Sequence, residues 1–142
     1  MKNIAFIVTS HIHTPNFISR VNSNNQINCI GVWDKDKNRS KSDSEKLQCK
    51  NYDNYIDLLK EPNLDGVIVC SETNLHYELV KKITENKKHC FIEKPLGIGK
   101  KDSFEMANLI ESSNIIFQTG YFMRSNPVYI KLKELILSLI HI

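Results

Sequence analysis

The fold is decided at residues 90–97, which read Cys90-Phe91-Ile92-Glu93-Lys94-Pro95-Leu96-Gly97. The first three residues form a short apolar run after a polar helical segment, a pattern typical of a buried β-strand. Proline has no N–H to donate to a sheet, so the strand is expected to end before Pro95. Lys94 would then lie at the carboxyl edge of the sheet, where open α/β sheets bind ligands. From spacing alone, the competing interpretation is a surface turn with a solvated charge pair.

Strands and helices alternate on both sides of this stretch. Further strand-like runs lie at 4–8, 27–33 and 67–70, and a last strand begins at residue 115. Helices are predicted at 15–20, 44–48, 54–60 (capped by Asp53), 76–87, 103–111 (capped by Asp102) and 127–136, and residues 35–44 are interpreted as a polar loop. This alternation predicts a doubly wound parallel sheet. Right-handed crossovers place the strand exits along one edge, namely Thr9-Ser10, Asp34, Ser71 to Asn74, Lys94 and Tyr121 to Arg124.

Length and composition indicate one globular domain with a real core, since the chain has 142 residues of which 41% are hydrophobic. The net charge of +3 comes from 19 basic and 16 acidic residues that are spread along the chain, so no nucleic-acid-binding stripe is predicted. No stretch has the length of a membrane span. The four cysteines lack CxxC spacing and are expected to be reduced, buried thiols of a cytoplasmic protein.

Two strand exits have the character of a dinucleotide site. The loop after the first strand leads into a helix amino end, where free N–H groups can bind a pyrophosphate. Asp34 ends the second strand, where a carboxylate accepts hydrogen bonds from both ribose hydroxyls and repels a 2′-phosphate. NAD is therefore favoured, while Lys35 and Lys37 keep NADP open. The alternative is that Asp34 only starts a turn.

The motifs of this chain resemble those of the Gfo/Idh/MocA oxidoreductases. The matching segments are the β-α-β start with Asp34, Thr73-Asn74-Leu75-His76, Glu93-Lys94-Pro95-Leu96-Gly97 and Gly120-Tyr121-Phe122-Met123-Arg124 followed by Pro127. The resemblance implies a Rossmann-type NAD(P)-binding domain, with a second, mainly β-sheet domain covering the substrate. It also implies a cis bond before Pro95, which costs little for an X-Pro bond.

The resemblance also assigns roles to residues. Lys94 would lie beside the nicotinamide and the substrate hydroxyl as the catalytic residue, and Arg124 near the cofactor or the domain junction. Together with the first loop and Asp34, the predicted cofactor-binding residues are Thr9, Ser10, His11, Ile12, Asp34, Ser71, Thr73, Asn74, His76, Glu93, Lys94 and Arg124.

The first loop departs from the family pattern. Val8, Ser10 and His13 hold the three glycine positions of G-x-G-x-x-G/A, which permit a tight turn and close approach to phosphate. Val8 is β-branched and disfavours positive φ, so the loop is expected to take another path and to bind cofactor more weakly. Ser10 and Thr14 offer hydroxyls to phosphate, and protonated His11 or His13 would add charge. No metal site is predicted, because the two histidines have no third ligand nearby in sequence.

The domain bounds follow from these assignments. Residues 1–119 are predicted to form the cofactor domain, and residues 120–136 the start of the connection to the second domain. Residues 137–142 match a translated transposase-type sequencing adapter (CTG TCT CTT ATA CAC ATC), which we favour over a continuing helix. Tyr121, Phe122 and Met123 would then be unusually exposed in this fragment.

The predicted function is the cofactor-binding part of an NAD(P)-dependent oxidoreductase acting on a sugar, cyclitol or related polyol. The fragment is expected to be inactive alone, and the full-length protein to form a homo-oligomer without nucleic-acid or membrane partners. The alternative is a non-catalytic dinucleotide-binding or regulatory module, which the glycine-free loop suggests.

Overall fold

A computed structural model describes residues 1–138 and has six β-strands and six α-helices in that part of the chain. The strands are β1 (Lys2–Ile7), β2 (Ile27–Trp33), β3 (Lys50–Asn51), β4 (Gly66–Val69), β5 (His89–Ile92) and β6 (Phe117–Thr119). The helices are α1 (Thr14–Asn22), α2 (Lys37–Lys46), α3 (Tyr55–Leu59), α4 (His76–Glu85), α5 (Gly99–Ser113) and α6 (Pro127–Leu137). Two 3₁₀ turns, at Thr73–Leu75 and Phe122–Ser125, precede α4 and α6.

The strands form one sheet in the order β3-β2-β1-β4-β5-β6, and every neighbouring pair is parallel. The order reverses between β1 and β4, so the crevice of a doubly wound sheet lies beyond the carboxyl ends of these two strands. This topology confirms the predicted fold class. The described residues form this domain alone, without a second α+β domain.

Each face of the sheet has its own apolar core. The face covered by α1 and the end of α2 buries Phe6, Ile18, Val21, Val32 and Leu47. The apolar core on the opposite face is larger. Its fully buried side chains include Ile7, Leu58, Leu59, Ile83, Ile92 and Met106. Because both faces are covered, the central strands read as continuous apolar runs in the sequence.

Helix α2 differs from the sequence prediction of a loop followed by a short helix. It is one helix over Lys37–Lys46, capped by the Asp36 carboxylate, which accepts hydrogen bonds from the N–H groups of Asn38 (3.0 Å) and Arg39 (3.1 Å). Its buried residues are polar, namely Ser40, Asp43 and Ser44. An apolar stripe, the usual signal of a packed helix, is therefore missing from the sequence.

Other element boundaries were also wrong. Asn54, and not Asp53, caps α3 by accepting a hydrogen bond from the N–H of Ile56 at 2.9 Å. Helix α5 begins at Gly99, four residues before the predicted start, and has no side-chain cap. Strand β3 has only two residues, too few for a periodic pattern to reveal it.

The segment after β6 is exposed. Tyr121, Phe122 and Met123 are 44%, 66% and 45% exposed, which confirms the prediction for these three residues. Helix α6 has no buried residue either. Of the predicted adapter segment, residues 139–142 lie outside the described residues. No helix among residues 1–138 combines the length and the apolar character needed to cross a bilayer.

Candidate cofactor and active site

The loops that follow the strands meet at one edge of the sheet. All strands run parallel, so Thr9, Asp34, Asn74 and Lys94, which follow β1, β2, β4 and β5, lie at the same carboxyl edge. Hydrogen bonds link these loops directly, as in the bond from the N–H of His11 to the carbonyl of Cys70 at 3.0 Å. The structure thus brings the predicted site residues together along one crevice.

Val8 adopts the backbone conformation that the expected glycine would have. Its φ is 59°, so the prediction that a β-branched residue would force another path was wrong. The residue is held by packing and by pairing, because its side chain is fully buried, its N–H donates to Trp33 and its carbonyl accepts from Cys70. These contacts offset a backbone strain of roughly 1–2 kcal/mol.

The first loop retains free donors for an anion. The N–H of Thr9 is bonded to Asp34 and that of His11 to Cys70, but those of Ser10 and Ile12 have no partner among residues 1–138. Helix α1 begins behind them at Thr14, where the N–H groups of Thr14 and Asn16 donate to the carbonyls of His11 and His13 and Pro15 has no N–H, so the free donors of this segment are those of Ser10 and Ile12.

Two buried hydroxyls beside this loop lack hydrogen-bond partners in the described part of the chain. They belong to Thr14, 2% exposed at the start of α1, and to Ser71, 4% exposed after β4. A buried hydroxyl without a partner costs free energy, about 1–3 kcal/mol. Hydroxyls, free N–H groups and a helix amino end together fit the phosphates of a dinucleotide.

The surroundings of His11 disfavour the positive charge that its protonated ring would add. Burial lowers the pKa of His11 below its ordinary value, with smaller opposing and reinforcing effects from Glu93 and Lys94. Its Nδ1 accepts a hydrogen bond from the N–H of His13 at 3.3 Å and lies 3.8 Å from Glu93 Oε1. Within residues 1–138, no cluster of three metal-ligating side chains occurs.

Asp34 is fully buried and accepts five hydrogen bonds. The N–H and hydroxyl of Thr9 donate to Oδ2 (2.7 and 3.2 Å), the N–H of Asp36 donates to Oδ1 (2.8 Å), and Arg39 bonds both oxygens at 2.8 Å. Burial alone would raise the pKa of Asp34, but the bonds from Arg39, Thr9 and Asp36 outweigh it, so the pKa lies below its ordinary value. The carboxylate thus ties the first loop to α2.

Sequence reasoning missed Arg39, because it lies in the segment interpreted as a loop. Its side chain is 31% exposed and forms a bidentate pair with Asp34. The same guanidinium borders a cleft of 270 Å³ between the first loop and α2, whose lining also includes Thr9, Ile12 and Thr14. The signal available in the sequence was the Asp-x-x-x-x-Arg spacing across a helix start.

The segment after β4 has two buried site residues, Ser71 and His76, and two accessible ones. Thr73 is half-buried and Asn74 exposed, both in the 3₁₀ turn. His76 has no exposed surface; its Nδ1 lies 3.0 Å from the Leu96 carbonyl and its Nε2 lies 3.4 Å from that of Ser71. The imidazole therefore joins the loops after β4 and β5, in place of the predicted direct contact with a cofactor.

Glu93 and Lys94 differ sharply in environment. Glu93 is 3% exposed, and its Oε2 accepts the N–H of Lys94 at 3.1 Å. The Lys94 side chain is exposed, and its ammonium has no hydrogen bond or ion pair within residues 1–138. The bond between Lys94 and Pro95 is cis, as predicted.

The end of β6 closes this side of the crevice. A Cβ at Gly120 would lie 3.1 Å from Glu93 Oε2 and 3.3 Å from the Phe91 ring, so any other residue here would have to displace these side chains by a few tenths of an ångström. The Tyr121 hydroxyl accepts the N–H of Leu96 at 3.4 Å, and the exposed Arg124 guanidinium lies 5.6 Å from the Tyr121 ring centre.

A cavity of 350 Å³, which the sequence did not indicate, opens beside the buried carboxylate of Glu93. Its lining is aromatic and polar, with His13, Asn16, Phe17, Arg20, Phe91, Glu93, Gly120 and Phe122. A cleft with aromatic walls and few polar groups suits a flat ring.

The doubly wound parallel sheet, the free N–H groups of the loop after β1 and the exposed lysine at the same crevice are typical of a dinucleotide-binding domain. Residues 2–121 match the model of the GFO_IDH_MocA family, described as an oxidoreductase family with an NAD-binding Rossmann fold. The chain therefore belongs to the Gfo/Idh/MocA oxidoreductases, and its cofactor is a nicotinamide dinucleotide, NAD or NADP.

Similar proteins include inositol dehydrogenases. The chain is 38% identical over 104 residues to a myo-inositol 2-dehydrogenase of Thermotoga maritima, covering 72% of this chain and 31% of that protein. It is 27% identical over 125 residues to the NAD⁺-dependent scyllo-inositol 2-dehydrogenase of Bacillus subtilis, covering 87% of this chain and 36% of the relative.

A solved structure of a related protein has the same fold. A probable dehydrogenase of Thermotoga maritima superposes with a TM-score of 0.82 at 31% identity, over 96% of this chain and 41% of the other. The chain thus spans well under half the length of the proteins it resembles, 31% and 36% for the two inositol dehydrogenases.

Proposed function

We propose that this chain is the N-terminal cofactor-binding part of an NAD(P)-dependent oxidoreductase that transfers a hydride between a nicotinamide cofactor and a sugar, cyclitol or related polyol. The observation that carries the proposal is the exposed ammonium of Lys94, which borders the same crevice as the first loop. The buried Glu93 carboxylate accepts the backbone N–H of Lys94 and so holds this residue at the crevice, while its side chain stays free to reach a substrate. The inositol dehydrogenases among the relatives support the substrate class.

The phosphates of the cofactor would bind at the amino end of α1. The free N–H groups of Ser10 and Ile12 and the unpartnered hydroxyls of Thr14 and Ser71 are its donors. Thr73 and Asn74 would line the path toward the nicotinamide. His76 would act indirectly, by holding the loop after β5 in position.

NAD is the proposed preference over NADP. The Asp34 carboxylate at the end of β2 is fully buried, and its bidentate bond holds the Arg39 guanidinium, which keeps that guanidinium from pairing with a 2′-phosphate. Titration of the whole protein with both nucleotides checks this, and tighter binding of NADP would contradict it.

Lys94 would act on the reacting hydroxyl of the substrate. Its Nζ would donate a hydrogen bond to the hydroxyl oxygen and hold the carbon–hydrogen bond in line for transfer. The bound nicotinamide supplies the hydride acceptor. The proton of the hydroxyl would leave to a base outside this chain. Glu93 would position Lys94 through the bond to its backbone N–H.

The proposed division of the chain is a cofactor domain over residues 1–119 and a connection over residues 120–136. The end of β6 at Thr119 and the exposed apolar residues after it support this boundary. The same exposed segment supports a full-length protein that continues into a second domain and forms a homo-oligomer. We propose a cytoplasmic location for it.

The test of this function is Lys94→Ala in the full-length protein. NADH formation from inositols and sugars should fall by about 10²–10⁴-fold in kcat, with NAD⁺ affinity changed little. Lys101→Ala, at an exposed lysine of α5, is the matched control and should keep full turnover. A Lys94→Ala enzyme as active as the Lys101→Ala enzyme would reject the assignment.

The second candidate is a non-catalytic dinucleotide-binding or regulatory module. It is favoured by the side chains at the glycine positions and by the burial of Asp34 under Arg39. The two functions are separated by the same assay: a full-length protein that binds NAD⁺ but oxidises no polyol in the panel supports the module.

A further inference from the structure

Strand β2 contains an extra residue that turns a cysteine toward the α1 and α2 side of the sheet. In the pairing with β1, Ile4 is opposite Cys29 but Ala5 is opposite Gly31, so Ile30 is the bulged residue. Ile30 packs against the larger core, and Cys29 packs against the smaller core on the other face. Cys49 packs against the same smaller core.

This arrangement brings two thiols together that are far apart in sequence. The Sγ atoms of Cys29 and Cys49 lie 3.7 Å apart, and both residues are free thiols with partial exposure. The other two cysteines, Cys70 and Cys90, are buried. The prediction of buried thiols therefore holds for Cys70 and Cys90 but not for this pair, which lacks the CxxC spacing of a redox motif.

The two thiols are not equivalent. The hydrogen bond with Cys49 lowers the pKa of Cys29 although burial acts in the opposite direction, and the same bond raises the pKa of Cys49. Nucleophilic attack requires the thiolate form, and the lowered pKa favours Cys29 over Cys49 as the attacking sulfur.

We propose that Cys29 and Cys49 form a redox-active dithiol that a hydroperoxide oxidises to an intramolecular disulfide. A disulfide bond is about 2.0 Å long, so closure requires the sulfur atoms to approach by less than ~2 Å. The pair lies in the amino-terminal half of β2 and beside β3, away from the cofactor crevice. The proposal therefore stands independently of the proposed function.

The reaction balances in two steps. The Cys29 thiolate attacks one peroxide oxygen, the O–O bond breaks, and the leaving hydroxide takes a proton to give water and a Cys29 sulfenic acid. Cys49 then attacks the Cys29 sulfur, the S–O bond breaks, and the hydroxyl leaves as water with the Cys49 proton. Two thiols and one molecule of hydrogen peroxide yield one disulfide and two molecules of water, with two electrons passing from sulfur to oxygen.

The disulfide would enclose a functionally important segment. The loop between the two cysteines contains Asp34, Arg39 and all of α2, and its closure restricts this segment to the β2–β3 edge. Oxidation would thus fix the helix that covers the Asp34 carboxylate.

The test is to expose the reduced chain to one equivalent of hydrogen peroxide and to measure its intact mass and its tryptic peptides without reduction. We expect a loss of about 2 Da, reversed by dithiothreitol, and a linked pair of peptides 21–35 and 47–50. Cys49→Ser should stop at a sulfenic acid on Cys29 that dimedone traps. Cys70→Ser, the control, should still form the linked pair.

Three results would overturn the proposal. They are an unchanged mass under these conditions, a disulfide between two chains instead of within one, and equal dimedone labelling of Cys29 in the wild type and in Cys49→Ser. The first two are read from the wild-type chain, so they do not depend on the folding of a variant.

Discussion

Val8 shows how packing can impose a conformation that a side chain disfavours. The loop after β1 needs a positive φ there, and the fully buried valine side chain compensates by filling the core. A glycine would remove the strain but also the buried methyl groups. The two effects oppose each other, which is a reason why valine can hold a positive φ at this position.

We predict that Val8→Gly lowers the free energy of unfolding by about 1–2 kcal/mol less than Val69→Gly does. Both valines are fully buried, but only Val8 has a positive φ, so only its replacement relieves strain. Urea unfolding of the two variants gives the comparison. Equal losses of stability would show that Val8 carries no strain.

Asp34 links pH to stability. Its pKa in the folded chain is lower than its ordinary value of about 3.9, so its bonds stabilise the fold above that value and are lost as the pH falls through the folded-state pKa. Asp34→Asn should therefore cost about 1.5–3 kcal/mol at pH 7 and progressively less below pH ~4.

Urea titrations between neutral and acidic pH measure this difference, with the exposed Asp57→Asn as the matched control. The control should lose little stability at any pH. A destabilisation by Asp34→Asn that stays constant down to the lowest pH would mean that the carboxylate charge does not stabilise the fold.

At the scale of elements, the sequence predicted best where burial is apolar. Strand β2 matches its predicted bounds, 27–33, because both of its faces are covered. Helix α2 was missed because its buried face is made of Ser40, Asp43 and Ser44, whose burial depends on partners that periodicity cannot identify. Missing α2 also meant missing Arg39, and with it the burial of Asp34.

The site was predicted in the same uneven way. The sequence predicted that Lys94 and Asp34 lie at the same edge of the sheet. The structure has both at the carboxyl edge, because each follows a strand of one parallel sheet. The role of His76 required three-dimensional contacts, since its two carbonyl partners, Ser71 and Leu96, lie 5 and 20 residues away. Burial of a polar side chain cannot be read from its residue type.

The segment formed by residues 121–137 presents an apolar surface. Phe122, Leu132 and Leu135 are 66%, 50% and 49% exposed, more than expected for large side chains of a closed domain. In a full-length relative of this architecture, such a surface would face further chain. On its own it favours contact between copies.

We predict that residues 1–136 self-associate through this surface. Replacing Phe122 and Leu135 by serine should shift the sedimentation profile toward monomer without lowering the unfolding temperature, because neither side chain is buried. Ile116→Ser, at an apolar residue that is 72% exposed outside the segment, is the control and should leave association unchanged. A wild-type chain that stays monomeric at high concentration would contradict the prediction.

For the molecule as a whole, we expect that residues 1–136 bind the cofactor but do not catalyse hydride transfer. The described residues include the proposed phosphate donors and the proposed catalytic lysine, but the large apolar side chains of residues 121–137 are exposed to solvent. Hydride transfer needs the substrate to be positioned and water to be excluded. Residues 1–136 should therefore bind NAD⁺ weakly and oxidise no polyol.

The placement of the cofactor at the carboxyl edge is tested most directly by a titration of ¹⁵N-labelled residues 1–136 with NAD⁺, followed by NMR. We predict fast-exchange shifts of the backbone amides of Ser10, Ile12, Ser71 and Lys94, which saturate only at high nucleotide concentration. Amides at the opposite end of the sheet, such as those of Lys2 and Gly66, should not move. Shifts that cluster at that opposite end, or none at the highest soluble NAD⁺ concentration, would contradict the placement of the cofactor at the carboxyl edge.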